Sequence, residues 1–276
     1  MREPGSLQHA FDAWAEIIPS LEGAQKILLG FDFDGTLSPI VDDPADASIP
    51  EGIQLILRDL SSLENTTIAI LSGRSLSDLR DRAKLKHIAL AGDHGLKIQH
   101  PNGEEYRPKA SITPQDVRAL TKRVEADASR LTGIQLEPKE FSLTVHYRRA
   151  PSGTGEKLHG ILSKATEGTP FRLRAGRMCW ELNPRVGWNK GQAFRWIREH
   201  CLGKETDAFE LYIGDDQTDE DIFQLIEANG YPILVVSSEK TGSTHARLRL
   251  NSQSDVAVFL EKVRDYLTNK RSVQPR

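Results

Sequence analysis

Two aspartates one residue apart, Asp32 and Asp34, lie in the run Phe31-Asp32-Phe33-Asp34-Gly35-Thr36-Leu37. In an extended segment, alternation puts both carboxylates on one side and Phe31 and Phe33 on the other. Gly35 then lets the backbone turn sharply. Two like charges this close repel unless a cation neutralises them, so the pair suits a hard divalent metal. Alone, such a pair is more often two solvated aspartates in a loop. Three later segments bear on the choice. Ser72-Gly73-Arg74 offers a hydroxyl and exposed amides where a helix begins, which is an anion-binding arrangement. Lys190, after Trp188-Asn189, is the kind of point charge that a phosphate site needs. Gly214-Asp215-Asp216-Gln217-Thr218-Asp219-Glu220-Asp221 crowds acids that are costly together unless they surround a cation. That loop lacks the sixth-position glycine and the acidic spacing of an EF-hand. No Gly-x-x-x-x-Gly-Lys-Ser/Thr loop occurs, so nucleotide-driven chemistry is not indicated.

These groups need elements to carry them. Lys26 to Phe33 reads as a buried strand and Glu51 to Leu63 as an amphipathic helix led by Pro50. Thr67 to Leu71 is a second strand, followed by a helix that Ser75 caps, with Asp78 completing a Ser-x-x-Asp box. His87 to Ala91 is a third strand. Beyond residue 187 come a helix at Lys190–Cys201, a strand at Phe209–Ile213, a helix at Asp219–Asn229 and a strand at Tyr231–Val236. Such alternation predicts an α/β fold, a doubly wound, Rossmann-like parallel sheet whose ligands gather at the C-terminal strand ends. The middle differs. A helical pattern over Thr113–Leu131, strands near Ile134–Glu137 and Phe141–Arg148, a helix near Glu156–Ala165, and strands at Phe171–Arg174 and Met178–Asn183 predict an α+β insert. Its expected limits are 107–187, leaving 1–106 and 188–276 as the core. Phe11, Trp14, Ile17 and Ile18 have helical spacing, which predicts a first helix packed on that core.

A chain of 276 residues, 38% of them hydrophobic, is long enough for a core and a smaller insert. The net charge of −3 supplies no basic field toward nucleic acid or a membrane. Cys179 and Cys201 are too few for a disulfide framework and lack metal-ligand spacing. With no apolar run approaching a membrane span, and no leader expected, a reducing cytoplasm is the expected setting.

Asp-x-Asp-Gly-Thr, Ser-Gly-Arg, a lysine and Gly-Asp-Asp-x-Thr-Asp, in this order, resemble the haloacid dehalogenase-like phosphatases. The resemblance covers nearly the whole chain after residue 25 and implies a core with an inserted cap. It implies that Asp32 attacks phosphorus to form an aspartyl-phosphate, and that Asp34 acts as acid and then base. It also implies Mg²⁺ held by Asp32, Asp34 through its backbone carbonyl, and Asp215, with Asp219 in support. Ser72 and Lys190 would grip the phosphoryl oxygens.

The insert carries the substrate information. Phe141, Leu143, Val145 and Tyr147 alternate with Ser142, Thr144, His146 and Arg148, while Met178, Trp180 and Leu182 oppose Arg177, Cys179, Glu181 and Asn183. One polar sheet face results, which solvation alone can explain. A sugar, however, is bound by such charged and amide groups on a rigid sheet. Glu137-Pro138-Lys139, His146-Tyr147-Arg148-Arg149-Ala150-Pro151 and Glu181-Leu182-Asn183-Pro184-Arg185 resemble the cap of trehalose-6-phosphate phosphatases. Asp34 to Ile40, Ala91-Gly92-Asp93-His94-Gly95 and Gly214 to Glu220 are similar to the same family. The resemblance implies that Glu137, Lys139, His146, Arg148 and Glu181 contact a disaccharide, with Arg74 and His94 also binding substrate, near the domain interface. Asn183 departs from it, since a basic residue often stands there. Closure of the insert over the core would exclude water. A monomer is expected, and association with a trehalose-phosphate synthase is a further partner the resemblance raises. The rival readings are a phosphatase for sucrose 6-phosphate or a glycosyl-phosphoglycerate, and a non-catalytic domain that binds a sugar phosphate. Intact Asp32, Asp34, Lys190 and Asp215 argue against the last.

Overall fold

Lys26-Ile27-Leu28-Leu29-Gly30-Phe31-Asp32 has apolar side chains on both faces, the mark of a strand covered by helices on each side. The computed structural model describes residues 1–108, 112–176, 178–185, 187–237 and 242–273. In chain order the elements are β1 (Gln8–His9), α1 (Trp14–Gly23), β2 (Lys26–Asp32), α2 (Glu51–Ser61), β3 (Thr66–Leu71), α3 (Leu76–Ala83), β4 (Ala89–Gly92), β5 (Lys97–Gln99) and β6 (Glu105–Tyr106). Then come α4 (Pro114–Asp127), β7 (Gln135–Pro138), β8 (Leu143–His146), α5 (Thr154–Thr166), β9 (Phe171–Gly176) and β10 (Cys179–Pro184). The chain ends with α6 (Lys190–Cys201), β11 (Ala208–Gly214), α7 (Glu220–Ile226), β12 (Tyr231–Val235), β13 (Leu248–Leu250) and α8 (Gln253–Val273).

The chain divides into two compact units: Met1–Tyr106 with Trp188–Arg276, and Arg107–Gly187. In the first, nine strands form one sheet in the order β1-β13-β12-β11-β2-β3-β4-β5-β6. Pairing is parallel from β1 to β4 and antiparallel through β5 and β6. From β2 the chain builds outward through β3 and β4. On the other side it builds through β11, β12 and β13. Strand order therefore reverses beside β2, where ligands of such sheets bind. Alternation assigns the faces. Ile27, Leu29, Phe31 and Phe33 pack with Ile53, Leu57 and Leu60 of α2 and Phe259 and Leu260 of α8. Leu28, Ala69, Leu71 and Tyr212 pack with Phe194 and Ile197 of α6 and Phe223 of α7. Asp32 has the parity of Leu28, so its carboxylate emerges on the α6 side. Each fully buried Leu, Ile or Phe contributes about 1.5–3 kcal/mol toward holding this frame.

In the second unit the antiparallel sheet runs β7-β8-β10-β9. Leu143, Val145 and Leu182 pack against Val117, Leu120 and Val124 of α4 and Leu158 and Leu162 of α5. Thr113 caps α4 with a complete capping box to Asp116.

Several expectations need correction. Two strands extend the sheet antiparallel beyond β4, and β1 pairs at the other edge. Helix α1 starts at Trp14, so Phe11 precedes it, and Ile17 and Leu21 are its buried residues. The expected strand at His87–Ala91 starts at Ala89, because His87 and Lys84 take left-handed backbone on the way in. The expected helix at Asp219–Asn229 is a short 3₁₀ turn at Gln217–Asp219 followed by α7, which stops at Ile226. Strand β8 covers only the middle of Phe141–Arg148. Met178 does not pack in the core: its left-handed φ of 52° turns the chain into β10 and leaves the side chain exposed. Arg177 lies outside the described residues. No helix among the described residues is long and apolar enough to cross a membrane.

Candidate active site

Strands β2, β3 and β11 end side by side, with Ser72 just past β3 and Asp215 just past β11. Asp32 closes β2, with Asp34 two residues on. Gly35 has a left-handed φ of 87°, and a Cβ there would meet the Asp215 carboxylate at 2.3 Å. The turn after β2 and the loop after β11 thus approach each other only because residue 35 has no side chain. Thr36 Oγ1 lies 3.4 Å from Asp215 Oδ1 on the same approach.

Asp32, Asp215 and Asp219 are all buried and can offer one oxygen each within 4.8 Å of one another. Lys190, the first residue of α6, is placed by the Asn189 cap, whose side chain accepts from the Gln192 amide at 2.9 Å. Its ammonium donates to Asp32 Oδ1 at 2.6 Å and to Asp219 Oδ1 at 2.8 Å. Asp219 is committed four times. Oδ1 accepts from Lys190 and from the Tyr212 hydroxyl at 2.8 Å, and Oδ2 accepts from the amides of Asp215 at 3.1 Å and Asp216 at 2.9 Å. Burial pushes the Asp32 carboxyl well above the usual carboxylate range, against the pull of the Lys190 ammonium and with help from Asp219 and Asp215. Burial opposes the charge on Lys190, yet Asp219, Asp32 and Asp216 hold its pKa above the ordinary lysine value. Three hard carboxylates gather here and only two of them bind the one ammonium, a surplus of negative charge that fits a divalent cation with oxygen ligands.

Asp34 sits apart from this cluster. Arg74 grips it with two parallel bonds, Nε to Oδ2 at 2.8 Å and Nη2 to Oδ1 at 2.7 Å. The guanidinium also reaches Asp78 at 2.9 Å and the Pro44 carbonyl at 3.1 Å, and lies 5.2 Å from the Phe33 ring centroid. Asp34 and Asp78 raise its pKa despite burial. Ser75 caps α3 as expected, accepting from the Asp78 amide at 3.2 Å. The Asp78 carboxylate, however, turns to Arg74 and Arg82. Ser72, buried at the end of β3, accepts from the Arg74 amide at 3.1 Å. His94 lies against Gly73, where a Cβ would meet its imidazole at 2.6 Å. Its amide donates to the Ser72 carbonyl at 3.0 Å.

The remaining expected site residues lie in the second unit. Glu137 of β7 and Glu181 of β10 both stand opposite Thr144 of β8. His146 Nε2 lies 2.7 Å from Glu137 Oε2, and Lys139 Nζ lies 3.9 Å from Glu137 Oε1. Arg148, two residues past β8, is exposed. Asn183 donates to Glu181 Oε2 at 3.0 Å, so the departing residue orients one of the acids it stands beside. Arg172 and Arg174 of β9 pair with Asn183 and Glu181 across the ladder and share this face. Sequence reasoning saw only a strand there. It also missed Tyr212, although one signal was available. Gly30 sits mid-strand in β2 opposite Tyr212, and a mid-strand glycine often marks a close neighbour.

The reversed strand order and the acids at its switch point make this the fold of the haloacid dehalogenase-like hydrolases. The chain belongs to the trehalose-phosphatase family, whose model matches residues 30–254. It is 33% identical over 241 residues to the trehalose-phosphate phosphatase of Mycobacterium ulcerans (strain Agy99), covering 86% of this chain and 61% of that one. It is 31% identical over 267 residues to trehalose-phosphate phosphatase B of Arabidopsis thaliana, covering 92% and 70% respectively. The chain thus spans about three fifths to seven tenths of the length of these relatives. The C-terminal domain of the C. albicans trehalose-6-phosphate phosphatase superposes with a TM-score of 0.82 at 26% identity, covering 94% of this chain and 99% of that domain.

Proposed function

We propose that this chain hydrolyses trehalose 6-phosphate to trehalose and phosphate. One observation carries the chemistry: a buried lysine ammonium lies 2.6 Å from the carboxylate at the end of the central strand, inside a cluster of acids. Asp32 attacks phosphorus as the bond to the sugar oxygen breaks, leaving an acyl phosphate on Asp32. Asp34 gives a proton to the departing oxygen, then takes one from the water that attacks the acyl phosphate and frees Asp32. Lys190 and Ser72 hold phosphoryl oxygens during both transfers. Asp32, Asp215 and the Asp34 backbone carbonyl would hold Mg²⁺, which would neutralise charge on the phosphoryl group during transfer. Asp219 orders the loop and the lysine around that seat.

The sugar is assigned to the polar face of the second unit's sheet. Glu137, Lys139, His146, Arg148 and Glu181 are hydrogen-bonding groups suited to hydroxyls, and Glu137 and His146 already order each other. Both cysteines are unbridged, and burial pushes the Cys201 thiol up to about 12. Unbridged thiols fit a reducing compartment such as the cytoplasm. A monomer, and association with a trehalose-phosphate synthase, remain part of this reading as proposals.

The test is phosphate release with Mg²⁺ from trehalose 6-phosphate, sucrose 6-phosphate and glucose 6-phosphate, with Asp32→Asn run in parallel. Fastest release from trehalose 6-phosphate and none from the variant are expected. Equal rates on the three esters would refute the disaccharide, and turnover by Asp32→Asn would refute the nucleophile.

A further inference from the structure

Tyr212 has a built setting that packing alone does not require. Its ring is fully buried, edge-on to Phe194 at 5.7 Å and to Phe223 at 6.0 Å between centroids. It also occupies the space a side chain at residue 30 would need, since a Cβ on Gly30 would meet the ring at 2.7 Å. Three elements thus fix the ring, and its hydroxyl is aimed at one atom, Asp219 Oδ1, which also receives the Lys190 ammonium.

We propose that Tyr212 is a positioning residue for the phosphoryl-transfer step, dividing Asp219 Oδ1 with Lys190 so that the ammonium stays on Asp32. The proposal rests on the phosphatase reading above. Its physical basis is acceptor capacity. The two backbone amides occupy Oδ2, so Oδ1 is where Asp219 can pull on the lysine. Without the hydroxyl, a buried carboxylate oxygen has lost a donor, and unmade bonds of that kind are costly. The nearest remedy is for Lys190 to move fully onto Asp219, away from the oxygen 2.6 Å away on Asp32. The same displacement withdraws the ammonium from the phosphoryl group.

The test is Tyr212→Phe, which keeps the ring, assayed with Mg²⁺ on the best sugar phosphate found for the unaltered chain. The expected result is a kcat lowered about 10–100-fold, the range for partners that orient site groups from behind. KM should change little, because the lost interaction is one made in the transition state. Tyr231→Phe serves as the control. It deletes a part-buried hydroxyl, bonded to Ser20 at 2.7 Å, and should lower the unfolding midpoint without lowering kcat. An unchanged kcat in Tyr212→Phe, or a loss confined to KM, would overturn the proposal and leave the phosphatase reading standing. No phosphate release by the unaltered chain from any sugar phosphate would overturn both.

Discussion

Arg74 and Asp34 are bound to each other through two bonds, and this pairing sets what each can do. The resemblance places Arg74 on the substrate, yet four of its five donors are spent on Asp34, Asp78 and the Pro44 carbonyl. Asp34 is the acid and base of the proposed mechanism, so an arginine that fixes both its oxygens governs its aim. Arg74→Ala is therefore expected to lower kcat about 10–100-fold with KM nearly unchanged, in line with about 1.5–3 kcal/mol for bonds to charged groups. Steady-state kinetics on the sugar phosphate decides it: a raised KM with kcat intact would return Arg74 to substrate binding. Arg74→Lys should rescue little, because a point charge cannot reproduce the paired bonds. The residues themselves were legible as a motif. Their pairing was not, since the Asp78 carboxylate could equally have closed the box with Ser75, and only the nearby Arg74 and Arg82 drew it away.

Elements explain why the lysine reaches the acids. Asn189 has extended backbone, with φ at −150°, and starts α6 by capping the Gln192 amide. Lys190 is thereby the first helical residue, aimed toward the strand ends. Asn189→Ala should cost about 1 kcal/mol of stability, read from the urea midpoint. It should also lower kcat, because fraying of the first turn moves the ammonium. Loss of stability with full activity would show that packing against Phe194 and Ile197, not the cap, places Lys190. The strands and helices that frame the site were readable from apolar periodicity: β2, β3, β11 and α6 are all where the pattern puts them. Strands β1, β5 and β6 were not, because two or three residues carry no period and depend on a neighbour's open edge.

At the scale of the molecule, the cation seat is a property of the folded state alone. Asp32 and Asp215 lie far apart along the chain, and the unfolded chain holds them apart in space as well. Mg²⁺ should therefore raise the unfolding midpoint, by about 2.7 kcal/mol of stability at a hundredfold excess over its dissociation constant. Asp215→Asn should remove most of that gain, and a shift of equal size in the variant would place the cation elsewhere. The two units also differ in what could be foreseen. The order of helices and strands in Arg107–Gly187 was visible in residue patterns, whereas Arg172 and Arg174 joining the polar face follows from register with β10. By itself the sequence determined the chemistry-bearing residues, their order, and their places at strand ends, because these depend on neighbours along the chain. Only the tertiary structure decided that Lys190, 158 positions from Asp32, bridges it to Asp219, and that Tyr212 shares that bridge. The reason is physical. Sheet order and the absence of a side chain at Gly30 and Gly35 bring those groups together, and neither can be read from local spacing. The Asp32–Asp34 pair accordingly divides in the folded protein, one acid joining the buried cluster and the other held by Arg74.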